Sequence, residues 1–329
     1  AQGRTRSIIE MTDKIIRGPD FSHILQPNES GAMRAALAAN RPLLVKGEPG
    51  VGKTQLARAA AVDLKRPLVS MTVDANTEPR EVMWTFDAVA RLAEAQVASI
   101  AVKDKAELDE RIDARRFVRP GPLWWGFDWD SACQQLQNHQ DPPEIPDGWS
   151  PQQGVVVLID EIDKAESELP NGLLEAFGSR QFRPLGWDRP IELQHQSPPL
   201  VIITTNEERT LPDAFIRRCF VLRMSLPPIT QHQPQTDDER KQDQVFIDLL
   251  VNRGEAHFPD ADSDVLTEAA KMLLEDRRDA IQRHWSPLPG QAEYLDFLRA
   301  ILSISNGGDC KELMNEIRQF SFRKNDPAA

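Results

Sequence analysis

Cysteine is scarce in this chain: Cys133, Cys219 and Cys310 are far apart, odd in number and in no CxxC pair. That pattern excludes a disulfide framework and a zinc ribbon, and it leads to the expectation of a reducing, cytoplasmic setting. Long apolar runs are missing too. The longest, such as Val155–Ile159, fall far short of the roughly 20 residues that span a bilayer, so no membrane partner is expected. The opening AQGRTRSIIEMTDK carries charges with no long apolar stretch behind them and does not read as a secretory signal. Basic charge is in deficit, with 39 Lys and Arg against 51 Asp and Glu and a net charge of −12. Coating a nucleic acid depends on neutralising phosphates, so such a partner is not expected. Neither a glycine at every third position nor a sustained heptad is present, which removes collagen and coiled coil. Aromatics make up only 6%, but 40% of the 329 residues are apolar, ample for a core. The length suggests two domains or one large domain with an appendage.

Strand-like and helix-like patterns alternate over the first two thirds. An amphipathic segment, Gly31–Asn40, is followed by an apolar run, Pro42–Val45, that enters a glycine-rich loop. Thr54–Leu64 then reads as a helix, Pro67–Val73 as a strand, and Glu78–Ile100 as a helix with apolar positions at Val82, Phe86, Val89, Leu92 and Ala93. Residues 101–150 are the least regular, first charged (KDKAELDERIDARR), then rich in Trp and Pro. Gly154–Asp160, Leu200–Thr205 and Cys219–Leu226 read as further strands, with a helix over Gly172–Gly178. The polar stretch Ile229–Lys241 reads as a linker. Beyond it the patterns are helical only: Val245–Val251, Val265–Leu274, Ala292–Ile304 and Lys311–Phe320. This order predicts an α/β fold with a parallel sheet covered on both faces, residues 1–228, carrying an insert at about 101–150. A small α-helical domain is expected over 229–329.

The strongest motif is Gly47-Glu48-Pro49-Gly50-Val51-Gly52-Lys53-Thr54, with Gln55 directly after it. It matches G-x-x-x-x-G-K-[ST] and lies between a predicted strand and a predicted helix, the context that gives the motif meaning. Its glycines let backbone N–H groups curl around phosphate oxygens, and the helix start adds a favourable dipole. Lys53 would reach the β- and γ-phosphates, and the Thr54 hydroxyl would hold Mg²⁺. The apolar run ending in Asp160-Glu161 supplies the two acidic groups a phosphoryl-transfer site needs. Asp160 would serve the Mg²⁺ shell and Glu161 would polarise an attacking water. A buried strand capping the next helix is the plain alternative. Asp163 reads as a helix-start or solvated carboxylate, with a catalytic role as the alternative. Asn206, at the tip of Leu200–Thr205, would bond the attacking water or the γ-phosphate, or else be an ordinary turn residue. Arg217 and Arg218 read either as an arginine finger offered to a neighbouring subunit or as surface arginines. The six histidines (23, 139, 195, 232, 257, 284) show no metal-ligand spacing. Cys219 reads as a buried small apolar residue.

Taken together, these stretches resemble the AAA+ superfamily, and within it the MoxR-like branch. The resemblance rests on ALAANRPLLVKGEPGVGKTQLARAAA, VVVLIDEIDKAESELPNGLLEAF, PLVIITTNE and LPDAFIRRCFVLRMSLP, with FVRPGPLWW as a further match. It covers residues 25–228 well and the C-terminal part loosely, through PLPGQAEYLDFLRAI. It implies ATP and Mg²⁺ at a subunit boundary and a homo-oligomeric, usually hexameric, ring. Lys53 and Thr54 match the Walker A pair, Asp160 and Glu161 the Walker B pair, and Asn206 sensor 1. By register Arg218 takes the finger, while Arg217 stands where the branch usually has Asp. The sensor 2 arginine is missing from its usual place, which Gln291-Ala292-Glu293 occupy; Arg283 and Arg299 are the substitutes at hand. The resemblance also puts a pore-facing hairpin at Gln181–His195, where Phe182 and Trp187 would grip a client or the segment would be a plain hairpin with a packed Trp, and gives Trp84-Thr85-Phe86 a similar place. Trp124, Trp125, Trp129 and Trp149 are unusual for the branch and would serve core packing or a partner surface.

The expected activity is Mg²⁺-dependent ATP hydrolysis driving the remodelling of a protein client. The branch's habits make a protein with a von Willebrand factor A domain the leading client. A nucleic-acid-directed motor of restriction type and an ATP-gated assembly switch with negligible turnover are the rival readings.

Overall fold

The computed structural model describes residues 13–101, 104–136, 142–193, 198–304 and 310–323, with the Cys310 side chain excepted. His139 and His195 lie outside the described residues. The described chain forms two compact units.

The first unit takes in residues 27–46 and 60–222 and is built on a five-stranded sheet. Its strands are β1 (Leu43–Lys46), β2 (Leu68–Thr72), β3 (Val156–Asp160), β4 (Leu200–Thr205) and β5 (Phe220–Arg223, whose last residue falls in the other unit). Their order across the sheet is β5-β1-β4-β3-β2. β4 pairs in parallel with β1 and β3, and β3 in parallel with β2. Strands covered on both faces lose the in–out alternation and become continuous apolar runs. All six residues of β4 are buried accordingly, as are the first four of β3. The helix Pro27–Ala39 packs on β1 and β4, and the short helix Pro122–Phe127 packs on β2 and β3. Gly126 permits that approach, since a Cβ there would stand 2.9 Å from Val157 Cγ2.

The Trp-rich insert belongs to this core. Trp124 is fully buried and donates from Nε1 to Ser131 Oγ at 2.8 Å. Its ring meets Phe182 and Trp187 edge-on at 6.0 and 5.4 Å. Trp125, Trp129 and Trp149 continue as a chain of edge-to-face contacts at 4.8 and 4.7 Å, the geometry aromatic quadrupoles favour. The hairpin expected after the acidic strand is present, with Gln181–Phe182 pairing Ile191–Glu192. Its aromatics turn inward, however: Phe182 is 8% exposed, and both it and Trp187 pack on the core. Both rings thus contribute to packing, Phe182 as a buried residue and Trp187 as a partly buried one. Glu78–Ile100 is not one helix either. It breaks into a 3₁₀ turn at Pro79–Val82, a strand Trp84–Phe86 and a helix Ala88–Ala101. The strand pairs antiparallel with Val118–Pro120, so Trp84 and Phe86 are structural rather than loop residues.

The second unit comprises residues 12–26, 47–59 and 223–329, as far as these are described. A hairpin of Lys14–Arg17 and Ser22–Leu25 packs against the first of four long helices: Asp237–His257, Ser263–Gln282, Gln291–Ile304 and Cys310–Ser321. The expected linker is shorter than its polarity suggests. Thr236 caps the helix from Asp237 in a reciprocal box with Glu239. Thr230 is buried, its N–H donating to Asp243 Oδ1 at 2.8 Å. The helices close over Phe246, Leu250, Leu273, Tyr294, Phe297 and Leu298, and Tyr294 donates to the Leu266 carbonyl at 3.0 Å. Among the described residues no helix is long and apolar enough to cross a membrane.

Candidate functional site

The glycine-rich loop leaves β1 at Gly47 and enters the helix Lys53–Leu64. Its conformation needs its glycines. Gly50 and Gly52 have φ of +78° and +99°, and a Cβ on Gly47 would lie 2.1 Å from the Met224 carbonyl oxygen. A side chain at any of the three would fill or distort the cradle. Lys53 is buried and its ammonium donates to the carbonyls of Gly47 at 2.7 Å and Glu48 at 2.9 Å. Gln55 Oε1, in the first turn of the helix Lys53–Leu64, is buried with no hydrogen-bond partner among the described residues. A backbone concavity, a helix start and a lysine together fit a phosphate chain. Thr54 is the residue of this loop whose hydroxyl suits Mg²⁺.

In the first unit the polar residues follow from sheet register. Ile203 pairs with Ile159 and Thr72 with Asp160, while Thr205 pairs with Lys46, so four strands end side by side. Thr204 is the residue that locks this edge. Its Oγ1 donates to Asp160 Oδ1 at 2.5 Å and accepts from the Glu161 N–H at 2.8 Å. Glu161 holds a left-handed backbone, φ 60° and ψ 47°, a conformation that costs a non-glycine residue energy and needs such support. Its carboxylate meets the Lys164 ammonium at 2.5 Å, and that contact raises the lysine pKa above its ordinary value.

Asp163 is neither solvated nor merely a helix start. It is 2% exposed, and its carboxylate accepts from the Asn206 N–H (3.2 and 3.3 Å) and the Glu208 N–H (2.9 Å). It thereby fixes the turn that presents Asn206. Arg217 and Arg218 follow the helix Asp213–Ile216, and both are exposed. Neither guanidinium makes an ion pair or hydrogen bond with the described residues. Cys219 is half-buried, its thiol pushed up to about 12 by burial, and it donates to the Phe215 carbonyl at 3.4 Å.

Of the two arginines offered as sensor 2 substitutes, Arg283 pairs with Asp279 and stacks over Trp285, and Arg299 pairs with Asp296. Both are surface pairs. Arg277, in the helical region, bonds to Glu48 of the glycine-rich loop. Arg253 in turn donates to Gln291 Oε1. The readable signal for Arg277 was the run Asp276-Arg277-Arg278-Asp279 inside an otherwise apolar-faced helix; for Thr204 it was the Thr pair closing an apolar strand. Among the described residues no group of three or more His, Cys, Asp or Glu could hold a metal ion.

A strand–glycine loop–helix unit, a five-stranded α/β sheet in this order and a helical C-terminal region define a P-loop core of AAA+ type. The family model for the AAA domain (dynein-related subfamily) matches residues 42–219, over half of the chain, and the chain belongs to that family of AAA-type, nucleotide-binding ATPases. Among solved structures it is similar to a provisionally assigned ATPase from Cytophaga hutchinsonii at 13% identity, over 89% of this chain and 79% of that one. The TM-score of 0.35 is too low for that likeness to define a shared fold. No curated protein matches the chain.

Proposed function

We propose that this protein hydrolyses ATP with Mg²⁺ and uses the cycle, as a homo-oligomeric ring, to remodel a protein client. Residues Gly47 to Gln55 would take the triphosphate, with Lys53 answering its charge. Thr54 and Asp160 would hold Mg²⁺, which supplies charge neutralisation on the phosphates. Glu161 and Asn206 would orient and polarise water, and Arg218, or Arg217 beside it, would act on a neighbouring subunit's nucleotide. The observation that carries this reading is the Thr204 bridge. It fixes the Asp160 carboxylate and the Glu161 backbone at the end of β3, while Asp163 fixes Asn206 beside them. A mere helix-capping acid has no need of a strained, doubly held backbone. Support for a protein client with a von Willebrand factor A domain comes from the MoxR-like sequence stretches, and a net charge of −12 disfavours a nucleic-acid motor.

The test is Glu161→Gln against the parent, by light scattering behind size exclusion with and without ATP–Mg²⁺, alongside phosphate release. The expected result is an ATP-driven ring in both proteins and loss of phosphate release in the variant, by at least about a hundredfold for a lost general base. If both proteins stay monomeric and neither releases phosphate, the remodelling reading falls and the ATP-gated switch takes its place.

A further inference from the structure

Arg277 lies well inside the helix Ser263–Gln282, and its side chain is only 8% exposed. A guanidinium is not buried without compensation, because desolvating an unpaired charge is costly. Two partners supply it here. Nη2 donates to Glu48 Oε2 at 2.7 Å, and Nη1 donates to the Pro289 carbonyl at 2.8 Å. Glu48 is the odd residue of the pair. It is the second residue of a loop suited to a polyanion, and its side chain is 48% exposed. A carboxylate at that place opposes the charge of any phosphate the loop takes up. The loop meets the helical region a second time at Gly50, where a Cβ would stand 2.8 Å from Ala292 Cβ. Pro289 and Ala292 flank the start of the helix Gln291–Ile304, so Arg277 ties Glu48 to the segment that also covers Gly50.

We infer that Arg277 is a positioning residue for nucleotide binding: it neutralises Glu48 and pins that carboxylate, making an acidic loop acceptable to a triphosphate. The inference rests on the ATP-binding reading above. It places the decisive arginine of the helical region on a different helix from the one begun by Gln291.

The experiment is a titration of the full chain with a fluorescent ATP analogue and Mg²⁺, for the parent, Arg277→Met, Glu48→Gln and the double variant, with circular dichroism to check folding. Arg277→Met should weaken binding roughly tenfold, the effect of one uncompensated charge about 10 Å from ligand charge at an effective dielectric near 20. That penalty should shrink with added salt. Glu48→Gln in the same chain should restore affinity to within about threefold of the parent, and Glu48→Gln alone should bind more tightly than the parent. A double variant as weak as Arg277→Met overturns the inference, as does an Arg277→Met chain that binds like the parent. Should Arg277→Met not fold, Glu48→Gln alone decides, since weakened binding there contradicts a neutralised repulsion. A parent chain that binds no nucleotide overturns the ATP-binding reading itself, together with this inference.

Discussion

Thr204 does more at this edge than its size suggests, because one hydroxyl both donates to Asp160 and accepts from Glu161. Thr204→Val keeps the shape and removes both bonds. Leaving the Glu161 N–H without that partner should cost about 1–3 kcal/mol of stability. In the proposed mechanism phosphate release should fall while nucleotide affinity, set at the loop, stays near the parent's; a steady-state assay beside a binding titration checks the split. Cys219 offers a second residue-scale handle. Burial lifts its thiol from an ordinary value near 9 to about 12, so the folded chain keeps a proton that the unfolded chain releases. The associated stability is fully present below about pH 9 and is lost as pH rises toward 12. Cys219→Ala should therefore flatten the fall in denaturant-measured stability between pH 9 and 10, by up to about 1.4 kcal/mol per pH unit. The parent and variant should show the same slope at pH 7–8. Asp163 shows the limit of residue-by-residue reading. Nothing in its neighbours distinguishes a solvated carboxylate from one buried under two backbone N–H groups; only the return of β4 beside β3 brings those donors to it.

At the scale of elements, legibility followed burial on both faces. Pro42–Val45 and Leu200–Thr205 were readable as strands because a two-sided strand is apolar at every position, and β1 and β4 fall there. The glycine loop was readable because its backbone shape demands particular residues. Glu78–Ile100 was misread for the converse reason. Val89 and Leu92 supply a helical spacing of apolar residues, yet in the structure they are 79% and 61% exposed, while the small Ala98 is the buried contact of that helix. Phe86, an apolar position of that expected helix, instead lies in a strand with Trp84 that pairs with Val118–Pro120, a partner more than 30 residues on that local spacing cannot reveal. The four C-terminal helices were located by apolar periodicity, three of them with starts within two residues, but the start of the first was not. A cap such as Thr236 is polar like the linker before it, so the helix from Asp237 was hidden in a stretch that looked like connection. The hairpin after the acidic strand was foreseen in outline, whereas the direction of its rings depended on Trp124 standing beneath them.

For the molecule as a whole, the aromatic residues divide unevenly between the two units. Six of the seven tryptophans (84, 124, 125, 129, 149 and 187) lie in the first unit, and only Trp285 lies in the second. Trp285 sits under the Arg283 guanidinium, 4.9 Å from its ring centre. The protein thus carries its own optical labels. In a Trp285→Phe chain, emission excited at the red edge of the indole band would follow melting of the first unit alone. The difference from the parent would then isolate the second. Coincident denaturation midpoints for the two signals would mark a single cooperative transition, and separate midpoints would give each unit its own stability. The close rings of Trp125, Trp129 and Trp149 should add excitonic ellipticity to the first unit's spectrum, a signal that vanishes when that stack opens.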